Sequence, residues 1–157
     1  MTDEAQLEAD GWYRLPVTRF SASIGSTFRR PMDHGGVEVC LLPAEHVGND
    51  NLGIVHGGAL STFADMALGS AADHHLRGGE PITDAKSAHF VTIQLQLQFL
   101  AAAKVGAMIV CRPEVVRATS QLVFVRGILE SNGRPVVSAD AIFKTLDAAK
   151  VDKLRAG

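Results

Sequence analysis

The fold is decided by one stretch of the sequence, Gly57-Gly-Ala-Leu-Ser-Thr-Phe-Ala-Asp-Met-Ala-Leu-Gly-Ser-Ala-Ala72. Its apolar residues recur at spacings of three and four, which predicts an amphipathic helix from about Gly57 to His75. The apolar stripe consists of Leu60, Phe63, Ala64, Ala67, Leu68 and Ala71. The opposite side carries small residues around one carboxylate, namely Gly58, Ser61, Thr62, Asp65, Gly69 and Ala72. A solvent-facing surface would carry lysine, glutamate or arginine, so we expect a sheet against one side of this helix and another covering on the small side.

The sequence on either side of this helix predicts β-strands. Before the helix, residues 18–29 are weakly strand-like, residues 36–42 alternate until Pro43 ends the run, and residues 44–56 form a loop. After the helix we expect four antiparallel strands, at residues 91–99, 106–116, 122–130 and 135–145. The resulting layout is α+β with a single central helix.

Three local signals refine these strands. The strand at 91–99 alternates strictly, which places Thr92 on the same face as three glutamines. The strand at 106–116 is expected to bend or bulge at Pro113. The dipeptide Asn132-Gly133 predicts a tight hairpin between the last two strands, because both residues tolerate positive φ.

Length and composition limit the class of protein. The chain has 157 residues, of which 46% are hydrophobic and 20% charged, with a formal net charge of −2. These values predict one domain over 1–157, with a helical extension at 1–17 (a short helix at 3–10) and a C-terminal tail at 148–157. We see no basic run, no secretory signal and no membrane-length apolar segment, so we expect a cytoplasmic protein that binds neither nucleic acid nor membrane. The two cysteines, Cys40 and Cys111, lie in apolar runs and are predicted to be buried, inert thiols.

Candidate catalytic groups lie along the central helix. At its start, Gly57 and Gly58 bring backbone N–H groups that lack helical partners to the positive end of the helix dipole. Glycine lets a ligand oxygen approach closely, so the Gly57 N–H could polarise a thioester carbonyl, an interaction worth about 3–4 kcal/mol in comparable oxyanion holes. Asp65 could attack the thioester or activate a water, and general-base assistance is worth about 10²–10⁴ in rate.

The helix geometry constrains how these two groups work together. Gly57 and Asp65 are eight residues apart, which separates them by about 12 Å along one helix. One carbonyl group cannot contact both. Two such helices packed antiparallel about a two-fold axis would bring Gly57 of one chain near Asp65 of the other and would also cover the small-residue face. We therefore expect at least a dimer with two equivalent sites.

The segment Asn51-Leu-Gly-Ile-Val-His-Gly-Gly-Ala-Leu-Ser-Thr-Phe-Ala-Asp65, with its Asp nine residues after the His, resembles the hotdog-fold thioesterases of the phenylacetate-degradation type. The resemblance covers roughly residues 35–146, including the alternating strand and the closing hairpin. It implies a hotdog fold, in which an antiparallel sheet wraps one long central helix. It also implies hydrolysis of a short- or medium-chain or aryl acyl-CoA to the free acid and coenzyme A. No separate cofactor and no metal are implied, and the chain is expected to be a homodimer or, as a pair of dimers, a homotetramer.

The resemblance assigns roles residue by residue. The Gly57 N–H would be the oxyanion donor, and Asp65 of the other subunit the nucleophile or general base. His56 would support the carbonyl end of the site, and Thr92 falls where the family has a Ser or Thr that orients the attacking water. The family's Asn six residues before the His is Asp50 here, with Asn51 one step later and Asn49 one step earlier. Either the loop shifts to present an Asn, for which Asn51 is the candidate, at that catalytic position, or Asp50 changes the charge of the site. Further substrate contacts are expected from Gly58, Ser61, Asp50, Phe63 and Met66.

Each assignment has a structural alternative. Asp65 could be a structural carboxylate, the glycine pair a simple tight turn, and His56 a helix cap. Thr92 would reach a site only if its strand lay at a dimer seam. The run Asp73-His74-His75 is expected to be a solvated helix end rather than a metal site, and His34-Gly35-Gly36 receives no role.

Two other functions fit the same sequence. One is a non-catalytic acyl-CoA-binding module, and the other is an enoyl-CoA hydratase or dehydratase on the same fold. The acyl group remains open, as do the residues that hold coenzyme A. The cationic candidates are Lys86, Lys104, Arg117 and Arg126.

Overall fold

The predicted periodicity produces a helix of 20 residues, α2 (Gly57–Leu76), in the computed structural model. The structure describes residues 3–16, 19–49, 51–79 and 88–157. His56 caps the first turn of α2, and the chain leaves the helix through Arg77 and Gly78, the latter at a φ of 66°. All six residues of the predicted apolar stripe are buried, which confirms that side of the helix as the one that packs in the core.

The other helices and the strands lie on either side of α2 in the sequence. The helices are α1 (Glu4–Ala9) and α3 (Ala148–Ala156), with two short 3-10 helices at Arg19–Ile24 and Glu45–Val47. The strands are β1 (Tyr13–Arg14), β2 (Gly25–Pro31), β3 (Val37–Pro43), β4 (Phe90–Phe99), β5 (Ile109–Cys111), β6 (Glu114–Ala118), β7 (Leu122–Ser131) and β8 (Arg134–Thr145). None of the helices in the described ranges is both long and apolar enough to cross a membrane.

Within the described residues, the strands form an antiparallel sheet in the order β1-β2-β3-β5-β7-β8-β4, with β6 paired to β7. Helix α2 packs on one face of this sheet, against β3, β4, β6, β7 and β8. This arrangement confirms the predicted α+β hotdog architecture. Strand β4 lies at the end of the strand order and pairs only with β8, so one of its edges carries no strand partner in the described chain.

The small-residue side of α2 is only partly open. Gly69 and Ala72 are buried within this chain, and Gly69 lies against the rings of Phe90 and Phe143. The expectation that a separate element covers this whole side is therefore wrong for the C-terminal half of the helix. The N-terminal half keeps Gly58 exposed and Asp65 half-exposed.

The strict alternation predicted for β4 is also wrong, because the strand contains a β-bulge. Thr92 pairs with Phe143, whereas Gln94 pairs with the next residue, Ile142, so Ile93 is the extra residue. Directly opposed residues in an antiparallel pair point to the same face. Thr92 therefore faces α2 together with the buried Phe143, and does not share a face with the glutamines.

Two other strand predictions are refined by the structure. The region 106–116 contains two strands, β5 and β6, which separate at Arg112-Pro113, the position at which the bend is predicted. The region 18–29 begins with a 3-10 helix, and the strand β2 starts only at Gly25. The hairpin between β7 and β8 is confirmed, with positive φ of 52° at Asn132 and 71° at Gly133.

The N-terminal segment covers the outer face of the sheet. Within residues 3–16, only α1 is helical, and Tyr13–Arg14 joins the sheet beside β2. Leu7, Trp12, Phe28 and Cys40 form a second, smaller core there. Both cysteines are buried as predicted, and burial raises the pKa of each thiol to about 12.

The contact between α2 and β7 yields a stability prediction. A methyl group at Gly127 would lie 2.8 Å from Cys111 Sγ and 3.2 Å from Leu68 Cδ1. We expect Gly127→Ala to destabilise the fold by about 1–3 kcal/mol in denaturant unfolding, because core overpacking costs that much. The matched control is Gly69→Ala, whose methyl group would lie 3.6 Å from Phe90 and should stabilise the helix by about 0.5–1 kcal/mol. The double variant Gly127→Ala/Cys111→Ala should recover part of the loss, and an unchanged stability of Gly127→Ala would contradict this view of the core.

Candidate active site

The bulge in β4 brings Thr92 to the carboxylate of Asp65. Thr92 donates a hydrogen bond of 2.8 Å from its hydroxyl to Oδ1 of Asp65. The second oxygen, Oδ2, accepts no hydrogen bond from the described part of the chain. The hydroxyl therefore orients the carboxylate and leaves one oxygen available to a water or a substrate. Thr92 and Asp65 belong to the same chain. The expectation that Thr92 would reach a site only if its strand lay at a dimer seam is therefore wrong for its contact with Asp65.

The first turn of α2 presents one backbone N–H that no described residue accepts. The Gly57 N–H has no acceptor among the described residues, whereas the Gly58 N–H donates to Nδ1 of His56 at 2.9 Å. The free N–H lies at the positive end of the helix dipole, so it favours an oxygen that carries partial negative charge. A side chain at Gly57 would contact the Phe99 ring at 3.5 Å, so the glycine leaves space beside the donor.

His56 is the N-cap of α2. Because Nδ1 accepts the Gly58 N–H, the ring hydrogen of the neutral imidazole lies on Nε2. The structural alternative for this residue, a helix cap, is therefore realised. The assignment of His56 to the carbonyl end of the site stays a prediction, and only Nε2–H is available for it.

The remaining predicted contacts divide into three groups. Asn51 lies exposed in a turn, where its N–H donates to Oδ1 of Asn49 at 3.1 Å, and Asp50 lies outside the described residues. Ser61 turns its hydroxyl back to the Gly57 carbonyl oxygen at 2.8 Å. Phe63 is fully buried in the core and does not line the cavity beside Asp65, so its assignment as a substrate contact is corrected to a packing role.

A cavity of about 370 Å³ opens beside the Asp65–Thr92 pair. It follows α2 towards the C-terminal end of the helix. Its lining consists of Leu15, Ser21, Arg29, Asp65, Met66, Gly69, Ser70, Asp73, Ala88, Phe90, Thr92 and Phe143. The cavity therefore contains one of the predicted substrate contacts, Met66, and several residues that the sequence did not single out.

The far end of this cavity holds a buried ion pair. Arg29 donates to Oδ2 of Asp73 at 3.1 Å, and the Ala88 N–H donates to Oδ1 at 3.0 Å. Arg77, four residues after Asp73, binds the same carboxylate. The interpretation of Asp73-His74-His75 as a solvated helix end is therefore wrong for Asp73, which is only 8% exposed. The sequence signal for this ion pair was Arg29, a basic residue in the weakly strand-like segment 18–29. Its partner Asp73 lies 44 residues further along the chain, so the pairing could not be predicted locally.

This cluster shifts two pKa values. Burial tends to raise the pKa of Asp73, but hydrogen bonds from Arg77, from the Ala88 N–H and from Arg29 outweigh it, so the pKa is lowered. The pKa of His74 is lowered, first by burial and then by the nearby charges of Arg29 and Arg77. Within the described residues, no group of three or more His, Cys, Asp or Glu side chains is arranged to hold a metal ion.

Residues 52–138, more than half of the chain and the part that contains Gly57, Asp65 and Thr92, match the family model described as "Thioesterase superfamily". The chain belongs to the thioesterase superfamily.

Individual relatives agree with this assignment. A candidate esterase of Pseudomonas aeruginosa is 33% identical over 91 residues, which cover 58% of this chain, so that the chain spans 62% of that relative's length. A Bacillus halodurans protein crystallised with coenzyme A is 25% identical with a TM-score of 0.59, over 76% of this chain and 74% of the other. A candidate thioesterase of Ralstonia eutropha, described as related to phenylacetic acid degradation, is 20% identical with a TM-score of 0.58 over 92% of both chains, and shows the shared fold.

The lowered pKa of His74 predicts that the stability of the protein depends on pH. A histidine whose folded pKa lies below its unfolded value of about 6.5 costs stability as the pH falls through the unfolded pKa. We expect the free energy of unfolding to fall between pH 7.5 and 5.5, a window in which Asp73 stays ionised. His74→Gln, which keeps an acceptor for Arg29, should flatten that slope in denaturant titrations.

The control for this experiment is His34→Gln, at an exposed turn with no hydrogen bond among the described residues. It should retain the wild-type slope. Equal slopes for wild type and His74→Gln would show that His74 is not the group responsible.

Proposed function

We propose that this protein is an acyl-CoA thioesterase that hydrolyses a short- or medium-chain or aryl thioester to the free acid and coenzyme A. The observation that carries the proposal is the pair of complementary groups on α2, namely an N–H at Gly57 that has no acceptor among the described residues and a carboxylate at Asp65 oriented by Thr92. Membership of the thioesterase superfamily and the coenzyme A in the Bacillus halodurans structure support the substrate class. The spacing of His56, Gly57 and Asp65 supports the phenylacetate-degradation type.

The chemistry follows from the two groups. The Gly57 N–H donates to the thioester carbonyl oxygen and stabilises the negative charge that develops there when the carbonyl carbon is attacked. Asp65 acts in its ionised form, either by removing a proton from the attacking water or by attacking the carbon itself. The tetrahedral intermediate then expels the coenzyme A sulfur as a thiolate, which takes up a proton to give the thiol. Attack by water gives the free acid directly, whereas attack by Asp65 leaves the acyl group on its carboxylate as a mixed anhydride, which a water then hydrolyses to the free acid and the original carboxylate. His56 has Nδ1 occupied by the Gly58 N–H, which disfavours the proton-shuttling role that a hydratase would require of it.

The site requires two chains in this proposal. Gly57 and Asp65 belong to one rigid helix and are about 12 Å apart, so a single carbonyl group reaches both only if they come from different subunits. Strand β4 supports a partner: its ten residues, Phe-Val-Thr-Ile-Gln-Leu-Gln-Leu-Gln-Phe, contain no charge and no proline, the usual devices that protect a free edge. Ile93 and Phe99 on this edge strand are 53% and 55% exposed. We propose a homodimer as the minimal unit and a homotetramer as a pair of dimers.

The first test of this proposal removes the carboxylate. We expect Asp65→Asn to lower thiol release from acyl-CoA substrates by at least about a hundredfold, because the general base or nucleophile is lost while the size of the side chain is kept. The control Asp140→Asn, on the opposite face of the sheet, should keep wild-type activity. Thiol release near the wild-type rate from folded Asp65→Asn would remove Asp65 from the mechanism, and enoyl-CoA hydration by the wild type would favour the hydratase.

A second test asks whether the site is shared between subunits. Gly57→Pro removes the N–H at the first helical position, where proline is tolerated, and His56 already has the extended conformation (φ −63°, ψ 140°) that precedes proline. Gly57→Ala, which keeps the N–H, reports the effect of the added side chain alone. We expect Gly57→Pro and Asp65→Asn to be inactive separately.

Mixing the two inactive variants distinguishes a site shared between two subunits from a site contained in one chain. After unfolding and co-refolding at equal amounts, about half of the dimers are mixed, and each mixed dimer has one intact site of two. We therefore expect about a quarter of the wild-type activity to return. A site contained in one chain would give none, and a wild type that is monomeric in light scattering while fully active would also exclude the shared site.

A further inference from the structure

The cavity beside Asp65 is apolar at one end and polar at the other. Next to the Asp65–Thr92 pair its walls are apolar, formed by Met66, Phe90 and Phe143. The two phenylalanine rings contact each other edge to face, with their centroids 5.3 Å apart, and Gly69 lies against both of them without adding a side chain to the cavity. The far end, one to two helical turns further along α2, is polar. It is formed by Arg29, Ser70 and Asp73.

Two donors at this polar end have no acceptor in the described part of the chain. Arg29 is 2% exposed, and its terminal nitrogens contact the Ser70 carbonyl oxygen, Asp73 and His74. Its Nε is fully buried and has no hydrogen-bond partner within the described ranges. Ser70 is 8% exposed, and its hydroxyl makes no hydrogen bond to any of the described residues. A buried polar group is normally satisfied, so the unpaired Nε of Arg29, beside a cavity whose wall also offers the Ser70 hydroxyl, points to a ligand atom.

The ion pair alone does not account for this arrangement. Asp73 is held by Arg77 and by the Ala88 N–H as well as by Arg29. An apolar side chain at position 29 would therefore leave Asp73 with partners and would remove the unsatisfied Nε. The chain instead places a guanidinium at the end of an otherwise apolar passage.

We propose that the acyl group hydrolysed at this site ends in an oxygen acceptor, a hydroxyl or a carboxylate, that Arg29 and Ser70 bind. The proposal rests on the thioesterase function proposed above and specifies its substrate class. Ser70 is five residues beyond Asp65, about 7.5 Å of helix rise. At roughly 3.5 Å for every three bonds of an extended chain, that distance corresponds to about six bonds between the thioester carbon and the terminal oxygen.

The experiment compares three thioesters of equal chain length in a thiol-release assay. They are hexanoyl-CoA, 6-hydroxyhexanoyl-CoA and adipyl-CoA, which carry a methyl group, a hydroxyl and a carboxylate at the far end. We expect kcat/KM for at least one of the two oxygenated substrates to exceed that for hexanoyl-CoA by about tenfold or more. Preference for adipyl-CoA identifies an anionic terminus, and preference for 6-hydroxyhexanoyl-CoA identifies a neutral one.

The variants test the assigned donors. Arg29→Met keeps the length of the side chain and should remove the preference, so that the ratio of kcat/KM for the preferred oxygenated thioester to that for hexanoyl-CoA falls to about one. Ser70→Ala removes only the hydroxyl and should reduce the preference by a smaller factor. If Arg29→Met does not fold, as judged by circular dichroism, Arg29→Lys and Ser70→Ala supply the same comparison, since both alter the donors and leave the passage open.

The outcomes separate this inference from the function on which it rests. Equal hydrolysis of all three thioesters by the wild type, or a preference that survives in Arg29→Met, overturns the oxygen-terminated substrate and leaves the thioesterase intact. Hydrolysis of none of them contradicts the thioesterase for this substrate class. In that case calorimetric titration of the wild type with the same three thioesters still decides the inference, because tighter binding of an oxygenated thioester, lost in Arg29→Met, supports it and equal binding overturns it.

Discussion

The rigidity of one α-helix governs the rest of this structure. A residue advances the helix by about 1.5 Å, so the Gly57 N–H and the Asp65 carboxylate stand about 12 Å apart in every conformation in which α2 remains intact. In the proposed mechanism each chain therefore supplies two halves of a site that cannot act on the same carbonyl group. The exposed small residues of the first helical turns and the uncharged edge of β4 are the surfaces through which a second chain would complete both halves.

The β-bulge at Ile93 is the second constraint on the site. A regular strand would turn Thr92 to the face occupied by Gln94, away from α2. The extra residue interrupts the hydrogen-bond ladder locally. Each residue of β4 before the bulge therefore points to the opposite face of the sheet from the one that strict alternation gives, which directs Thr92 to Asp65 and Phe90 to Gly69. Bulges are over-represented beside active sites, where they change the direction in which side chains point.

The features that the sequence predicts are those encoded locally. The period of α2, the stop at Pro43 and the Asn132-Gly133 turn each depend on neighbouring residues, and the structure confirms all three. The bulge leaves no such mark, since Ile93 continues the apolar alternation that a regular strand would show. The pairing of Arg29 with Asp73 depends on residues far apart in the chain, so the sequence shows only an arginine in a weak strand and an acid before two histidines. The positions of Gly57 and Asp65 were identifiable because both lie on one helix, whereas the cavity between α2, β2 and β4 arises only from packing.

The two carboxylates of α2 also fix the position of the edge strand. Asp73 accepts the Ala88 N–H just before β4, and Asp65 accepts the Thr92 hydroxyl within it. Eight residues of helix rise about 12 Å, and the four residues from Ala88 to Thr92 span about 13 Å when extended, so the two contacts are compatible in register. A buried ion pair such as Arg29–Asp73 is weak evidence for stability, since apolar replacements often stabilise a fold as well or better. The position of Asp73 explains more than the energy of the pair does: Asp73, held by Arg77 as well as by Arg29, accepts the Ala88 N–H and so fixes the beginning of β4, and the start of that strand determines where the bulge delivers Thr92.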